Sequence, residues 1–412
     1  MISRQKKGKI GAVMKAAIIG ASGESLYTIK KAQAYGLTAA ALDGNPKAAG
    51  LLAADEPVVA DISDEENTIR VLKRIKPDFV LTVPIGRYLT TIGAVNDALG
   101  LPGISRKMAA VCTDKFLFHK RLHDKGLRDA RCYGIMGWEA EDSHGRVYQG
   151  EKEICDVMPL TFPAILKPRY GSGSRGIHML ADRQHMLAAL REVSGEPYVL
   201  EECVEGEEYG VDGAVIGGRF TMILLRRKEN TPPPARQAVG YFSVLPDNEV
   251  WQQVCGHMEK AVKCLEINEC LLHADVIRSA KGPFVIELSA RPSGHNLHNL
   301  FTPLCTGIDP AEEYIRYRLG LSYRFTPAEV KPMLIHYFDM QGKVASVPHK
   351  EDVERMTGAD VAAWECHIKE GEELGPVSDG HSLMGRGFFV LAGDSNAELL
   401  KQTEEIKDLF ME

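Results

Sequence analysis

The 412-residue chain lacks several features that would assign its class at once. None of its 9 cysteines forms a CxxC pair, which argues against a zinc ribbon or a thioredoxin-like site. Most sit in apolar patterns, as in Val111-Cys112 and Cys270-Leu271-Leu272, and read as reduced core residues. No apolar run approaches the roughly 20 residues of a spanning helix, so no membrane association is expected. Positive charge is not in excess: 49 Lys and Arg stand against 56 Asp and Glu, a net charge of −7. That balance, without basic and aromatic residues interleaved, argues against a nucleic-acid partner. The N-terminus is basic (Arg4, Lys6, Lys7, Lys9) but leads into a strand and a glycine turn, not a signal peptide; the cytoplasm is the expected location. No repeat, long disordered tract, Ser/His/acid or Cys/His nucleophile pattern is found.

What is present is an ordinary globular composition, 44% apolar and 25% charged, long enough for two to four units at roughly 100–200 residues each. Residues 15–20 form an apolar run that enters Gly20-Ala21-Ser22-Gly23-Glu24-Ser25. A helix follows over 26–35, a strand over 37–42, a helix over 64–75, a strand over 78–83 and a helix over 88–98. Apolar strands alternating with helices predict a small parallel α/β domain. Its first turn has two glycines and no third at the fingerprint spacing, so dinucleotide binding is disfavoured. Asp43 reads as a turn or substrate-rim residue. A helix over 107–126 carries Asp114-Lys115; 137–153 has no clear period and reads as a loop or a poorly patterned hairpin.

The most informative stretch is 162–180. A β-run ends on Lys167, and Gly171-Ser172-Gly173-Ser174-Arg175-Gly176 follows before a second β-run. Such a loop presents backbone N–H groups without Cβ obstruction and suits a flap over phosphates. It is not a P-loop, because GxxxxGK[ST] is absent. Lys167 supplies a point charge for phosphate. Between 198 and 212, Glu201, Glu202, Glu205, Glu207 and Glu208 form either a solvated acidic hairpin or acceptors for ribose hydroxyls. Arg226-Arg227-Lys228 follow a strand at 219–225, and 229–236 reads as a mobile loop.

Residues 271–277 and 283–294 read as a hairpin turning at 279–282, which sets Asp275 opposite Glu287. An acid in the middle of each apolar strand is costly without a cation. Two carboxylates beside phosphates suit Mg²⁺, and Arg291 is placed to meet developing phosphate charge. His273, His295 and His298 raise zinc as an option, but the carboxylate-rich context favours a hard ion. From Val330 to about 391 the pattern predicts strands and turns, and 395–409 a final helix.

In this order the motifs resemble the ATP-grasp superfamily, most nearly its carboxylate–amine (L-amino-acid) ligases, with a more distant similarity to the biotin carboxylase and D-alanine–D-alanine ligase branches. The resemblance implies an α/β (α+β) ATP-grasp fold: an N-terminal open parallel α/β domain (1–104), a helical linker (105–160), a central glycine-loop subdomain (161–228), a subdomain with the metal site (229–325) and a C-terminal strand-rich domain (326–412). It implies that Lys115 and Lys167 contact the α- and β-phosphates. Gly171, Ser172, Gly173, Ser174 and Gly176 would form the phosphate lid. Glu201, Glu202 and Val204 would surround adenine, and Glu208 would bind ribose. Asp275, Glu287 and Ser289 would hold metal, Ser289 replacing the family's more usual asparagine, which leaves one Mg²⁺ site better supported than two.

The cofactors implied are ATP and Mg²⁺, with Mn²⁺ as a substitute. Relatives often dimerise through the N-terminal region, which leaves a homodimer open. The implied reaction is ADP-forming: the γ-phosphate passes to a carboxylate and an amine displaces phosphate from the acylphosphate, with Arg291 and Lys167 as the catalytic charges. Arg87, Arg226, His273, Arg291, Ser293, Gly294, His295 and Asn296 are the expected substrate residues, and His295 is a candidate base for the amine. Bicarbonate activation, a purine-type step and a non-catalytic nucleotide binder are the alternatives.

Overall fold

The computed structural model describes residues 13–171, 176–193, 195–232, 237–377 and 380–411. Four short parallel strands open the chain, in the order Glu56–Val59, Thr38–Asp43, Lys15–Ile19 and Phe79–Leu81. The central two are almost wholly buried, as apolar runs covered on both faces must be. The edge strand Glu56–Val59 was not legible, because its Glu-Pro-Val-Val is too short and half exposed to show a run. Helix Glu65–Ile75 starts where the Asp64 carboxylate accepts the Asn67 N–H at 2.9 Å. A cap of this kind contributes about 1 kcal/mol.

The stretch 107–126 is two helices, Arg106–Thr113 and Lys115–Asp124. Asp114 leaves the helical region between them, and its Oδ1 accepts the Leu117 N–H at 3.1 Å. The break therefore puts Lys115 at a helix start. Six antiparallel strands follow, ordered Val147–Gln149, Glu139–Asp142, Cys132–Met136, Pro197–Glu202, Ala164–Pro168 and His178–Leu180. The unpatterned 137–153 contains a hairpin, whose turn is tied by Asp142 Oδ1 accepting from the N–H groups of His144 and Arg146.

Eight antiparallel strands form the largest sheet, ordered Gly282–Ser289, Cys270–Ser279, Glu207–Ile216, Arg219–Asn230, Ala238–Val244, Met333–Tyr337, Gly387–Ala392 and Asp360–Cys366. Its hydrogen bonding runs through the boundaries expected at 228/229 and 325/326. Strand Arg219–Asn230 extends five residues beyond the expected end at 225, into the stretch read as a loop. Helix Glu249–Cys264 covers the sheet with Trp251, Val254, Met258, Ala261 and Val262. The stretch after 330 also holds helices Lys350–Thr357 and Gly380–Arg386, where strands and turns were expected. The first buries only Val353, too little apolar periodicity to read as a helix. Helix Asn396–Asp408 closes the chain behind a Ser395 cap. No helix among the described residues is long and apolar enough to cross a membrane.

Register puts one set of side chains on a single face of this sheet. Gly210 lies opposite both Arg226 and Asp275, Asp212 opposite His273, Asp275 opposite Glu287, and His273 opposite Ser289. With the two-residue period of a strand, Glu208 and Lys228 share that face.

Candidate active site

The helix start at Lys115 and the strand exit after Pro168 are tied together. Asp114 receives Arg169 through Nε at 2.8 Å and Nη2 at 2.7 Å, and the Tyr170 hydroxyl at 3.2 Å. Such a bidentate pair fixes orientation as well as charge. It brings the Gly171 carbonyl within 2.7 Å of Lys115 Nζ. Burial holds the Lys115 ammonium below its ordinary range. Gly171, at φ 119°, turns the chain out of the strand where a side chain would be strained.

Deeper in, Glu201 collects cations. One oxygen pairs with Lys167; the other lies 2.7 Å from Arg128 Nη2 and 3.1 Å from His119 Nε2. Burial alone would push this carboxyl up, but the charges of Lys167 and Arg128 hold it well below its usual range. His119 is wholly buried, and burial, aided by Arg128, pulls it down to about 3, so it stays neutral. With Cys132, His119 and Glu201 form the one group of three potential metal ligands found among the described residues. The two cations on Glu201 already balance its charge, so this cluster offers little to a divalent ion. Glu202 points elsewhere: it pairs with Arg131 at 2.8 Å and accepts the Thr161 N–H at 2.9 Å, clamping the chain where it leaves the six-stranded sheet. Val204 lies half-buried in the connection between the two antiparallel sheets.

On the shared sheet face, Asp212 and Arg226 form a buried ion pair, and Thr302 donates its hydroxyl to Asp212 at 2.7 Å. Burial opposes ionisation of Asp212, yet Arg226 holds it below the usual carboxylate range. Arg226 is fully buried beside Tyr241 and does not line the open cleft. His273 lies between two acids, with Nδ1 3.8 Å from Asp212 Oδ1 and Nε2 3.7 Å from Asp275 Oδ1. Lys228 Nζ sits 2.8 Å from Asp275 Oδ1. Burial would lower this ammonium, but Asp275 raises it, and both groups stay charged.

At the strand exit, Arg291 donates to the Pro292 carbonyl at 2.8 Å and leaves a buried Nε without a partner among the described residues. Ser293 is buried, with its hydroxyl also unpartnered. Gly294 lies so close to Glu24 that a Cβ would stand 2.9 Å from its Oε2. His295 and Asn296 follow at φ 57° and 58°. The His295 N–H donates to Glu24 Oε1 at 2.7 Å, and its carbonyl accepts from the Tyr337 hydroxyl at 2.5 Å. The ring is 6.4 Å from that of Tyr337, edge to face.

An open cleft lies at the Lys115 helix start and the strand that carries Glu287 and Arg291, and Lys167, His273 and Asp275 are not among the residues that line it. Arg87, Lys115, Gly171, Glu287, Ser289 and Arg291 line it together, drawn from segments far apart in the sequence. The model of the ATP-grasp domain family matches residues 160–298, the span from the Lys167 strand to the turn after Arg291. The chain carries an ATP-grasp domain. Carnosine synthase 1 of Mus musculus is 23% identical over 324 residues, 71% of this chain and 38% of the relative, so the chain spans well under half of that protein. The solved L-amino acid ligase from Bacillus licheniformis superposes with a TM-score of 0.74 at 18% identity, covering 96% of this chain and 97% of that one. N5-carboxyaminoimidazole synthetase from Staphylococcus aureus, solved with ADP, gives 0.72 at 13% identity, covering 96% and 97%.

Within the ATP-grasp domain, Gly176 is placed at φ 67°, whereas Ser172, Gly173 and Ser174 lie outside the described residues. Glu208 is half-buried at the start of its strand. The donor set suits a hard divalent ion: the Glu287 carboxylate and the Ser289 residue face the cleft, and Glu287 carries no hydrogen bond or ion pair among the described residues. Glu24, His119, Arg128, Asp212 and Lys228 went unrecognised in the sequence. For Lys228 a signal exists, since Leu224, Arg226 and Lys228 keep the two-residue period of one strand.

Proposed function

We propose that this chain is an ADP-forming ATP-grasp enzyme that activates a carboxyl oxygen by phosphorylation and passes the acyl group to an amine nitrogen. The observation that carries the reading is the convergence of Lys115, Gly171, Glu287 and Arg291 on one cleft. Two cations, a backbone turn and an acid around one space suit a polyphosphate with its counter-ion. The carboxylate oxygen attacks the γ-phosphorus, the bond to the β-phosphate oxygen breaks, and ADP leaves. The amine nitrogen attacks the acyl carbon, the carbon–oxygen bond to phosphate breaks, and the amine proton passes to solvent or phosphate.

A Mg²⁺ ion held by Glu287 would supply charge to the phosphate oxygens. Lys167 and Lys115 bind and orient the phosphates, and Arg291 neutralises the phosphoryl group in transfer. Positioning and charge supply the acceleration, as no protein nucleophile is required. Acylphosphates hydrolyse, so the reaction requires water to be kept from the cleft.

The acceptor is an amino-acid carboxylate or bicarbonate, since both present the same oxygen to phosphorus and both pass to nitrogen. The resemblances to an L-amino acid ligase and to an N5-carboxyaminoimidazole synthetase support this common chemistry. The experiment is an ADP-release assay with Mg-ATP and panels of amino-acid pairs, small carboxylates with amines, and bicarbonate with amines, with AMP measured in parallel. ADP release that requires an acceptor supports the proposal, and the panel that responds names the acceptor. AMP as the product would refute it.

A further inference from the structure

We propose that Lys228 takes the place of a divalent cation at Asp275, so that this site holds one metal ion, on Glu287, where its two opposed acids would suggest two. The inference rests on the nucleotide-site reading above and concerns how the charge of that site is divided.

The two acids face each other across neighbouring strands but have different surroundings. The Asp275 carboxylate has the Lys228 ammonium 2.8 Å from Oδ1, with the His273 ring 3.7 Å from the same oxygen. The Glu287 side chain makes no hydrogen bond or close ion pair among the described residues, and it lines the open cleft with Lys115 and Arg291, whose charges act on it from a distance. Lys228 is reached by design of the sheet. It stands two strands away from Asp275, beyond strand Glu207–Ile216. The residue of that middle strand paired with Asp275 is Gly210, which has no side chain to block the crossing. A Cβ there would stand 3.2 Å from Arg226 Nη2, so the Arg226 guanidinium lies over this glycine. Arg226 is consumed by Asp212, which leaves Lys228 as the cation directed at Asp275.

A divalent ion on Asp275 would lie beside the ammonium that already stands 2.8 Å from Oδ1, and this like-charge repulsion disfavours it. The protein-borne cation is always present, so its charge is independent of metal concentration.

The test is equilibrium dialysis of the full chain against saturating ADP and Mn²⁺, with bound Mn²⁺ and bound ADP both counted. The wild type is expected to retain one Mn²⁺ per ADP, K228R one, and K228M two, because the methionine leaves Asp275 without its cation. Thermal melting establishes that each variant is folded. Two Mn²⁺ per ADP in the wild type, or one in a folded K228M, overturns the proposal. If K228M does not fold, the wild-type and K228R counts decide. Absence of bound ADP would instead refute the nucleotide-site reading, and the proposal with it.

Discussion

The Glu24 carboxylate accepts the backbone N–H of His295 at 2.7 Å, although the two residues are 271 positions apart. The contact ties the first turn of the parallel sheet to the strand exit that carries Arg291. A charge-assisted hydrogen bond of this kind contributes about 1.5–3 kcal/mol locally. E24A is therefore expected to raise hydrogen exchange at the His295 amide at least tenfold and to lower turnover. Unchanged exchange would show that this turn is held by Tyr337 alone.

Glu201 balances two buried cations, Lys167 and Arg128. Removing one partner from a buried network costs more than the network's net worth, roughly 3–5 kcal/mol. E201A is expected to lose about that much in urea unfolding. K167M, which leaves Arg128 on Glu201, is expected to lose less stability but to abolish turnover. Near-normal turnover in K167M would detach Lys167 from the phosphates.

The Asp212–Arg226 pair is fully enclosed, and it supports the sheet face without opening to the cleft. D212A leaves a buried guanidinium without its acid, at a cost of roughly 3–5 kcal/mol. R226M combined with D212A is expected to recover most of that loss, because an apolar pair fills the same space. A double-mutant cycle that shows no coupling would place the two charges in separate environments.

Acid stability follows from buried neutral histidines. Burial pulls His119 and His336 down to about 3, against about 6.5 in an unfolded chain. His336 faces Glu229 at 3.7 Å, with Asp339 and Lys407 nearby. Below pH ~6.5 the unfolded chain binds protons that the folded chain refuses, so stability falls as pH falls from ~6.5 toward ~3. The slope is up to about 1.4 kcal/mol per pH unit for each histidine. H336Q is expected to remove its share, which urea unfolding at pH 6.5 and 4.5 measures. An unchanged slope would mean that His336 protonates in the folded state.

The parts of the site that lie on one continuous segment were legible. The parallel strands showed as apolar runs, and the short turn at 279–282 was enough to set Asp275 opposite Glu287. Of the glycine stretch after Lys167, Gly171 and Gly176 are placed at positive φ, and the residues between them lie outside the described residues. What stayed hidden depends on strands brought together from a distance. Glu24 reads only as part of the glycine turn at 20–25 until the fold carries it to His295. In the sequence Lys228 falls beyond a strand expected to end at 225 and just before the stretch 229–236, which reads as a loop. Its strand continues to Asn230, which keeps Lys228 on the face that carries Asp275. Likewise, the break at Asp114 was hidden in a continuous helical pattern. The Asp114 cap on Leu117 restarts the helix, and the Arg169 contact holds that carboxylate in place.

The central claim is that phosphoryl transfer passes through a carboxyl oxygen. The direct measurement is oxygen transfer from the ¹⁸O-labelled acceptor selected by the ADP-release panel, read by mass spectrometry of the products. The account predicts one ¹⁸O atom in the released phosphate for each turnover and none in nucleotide. Label in AMP, or phosphate released without label, would contradict it.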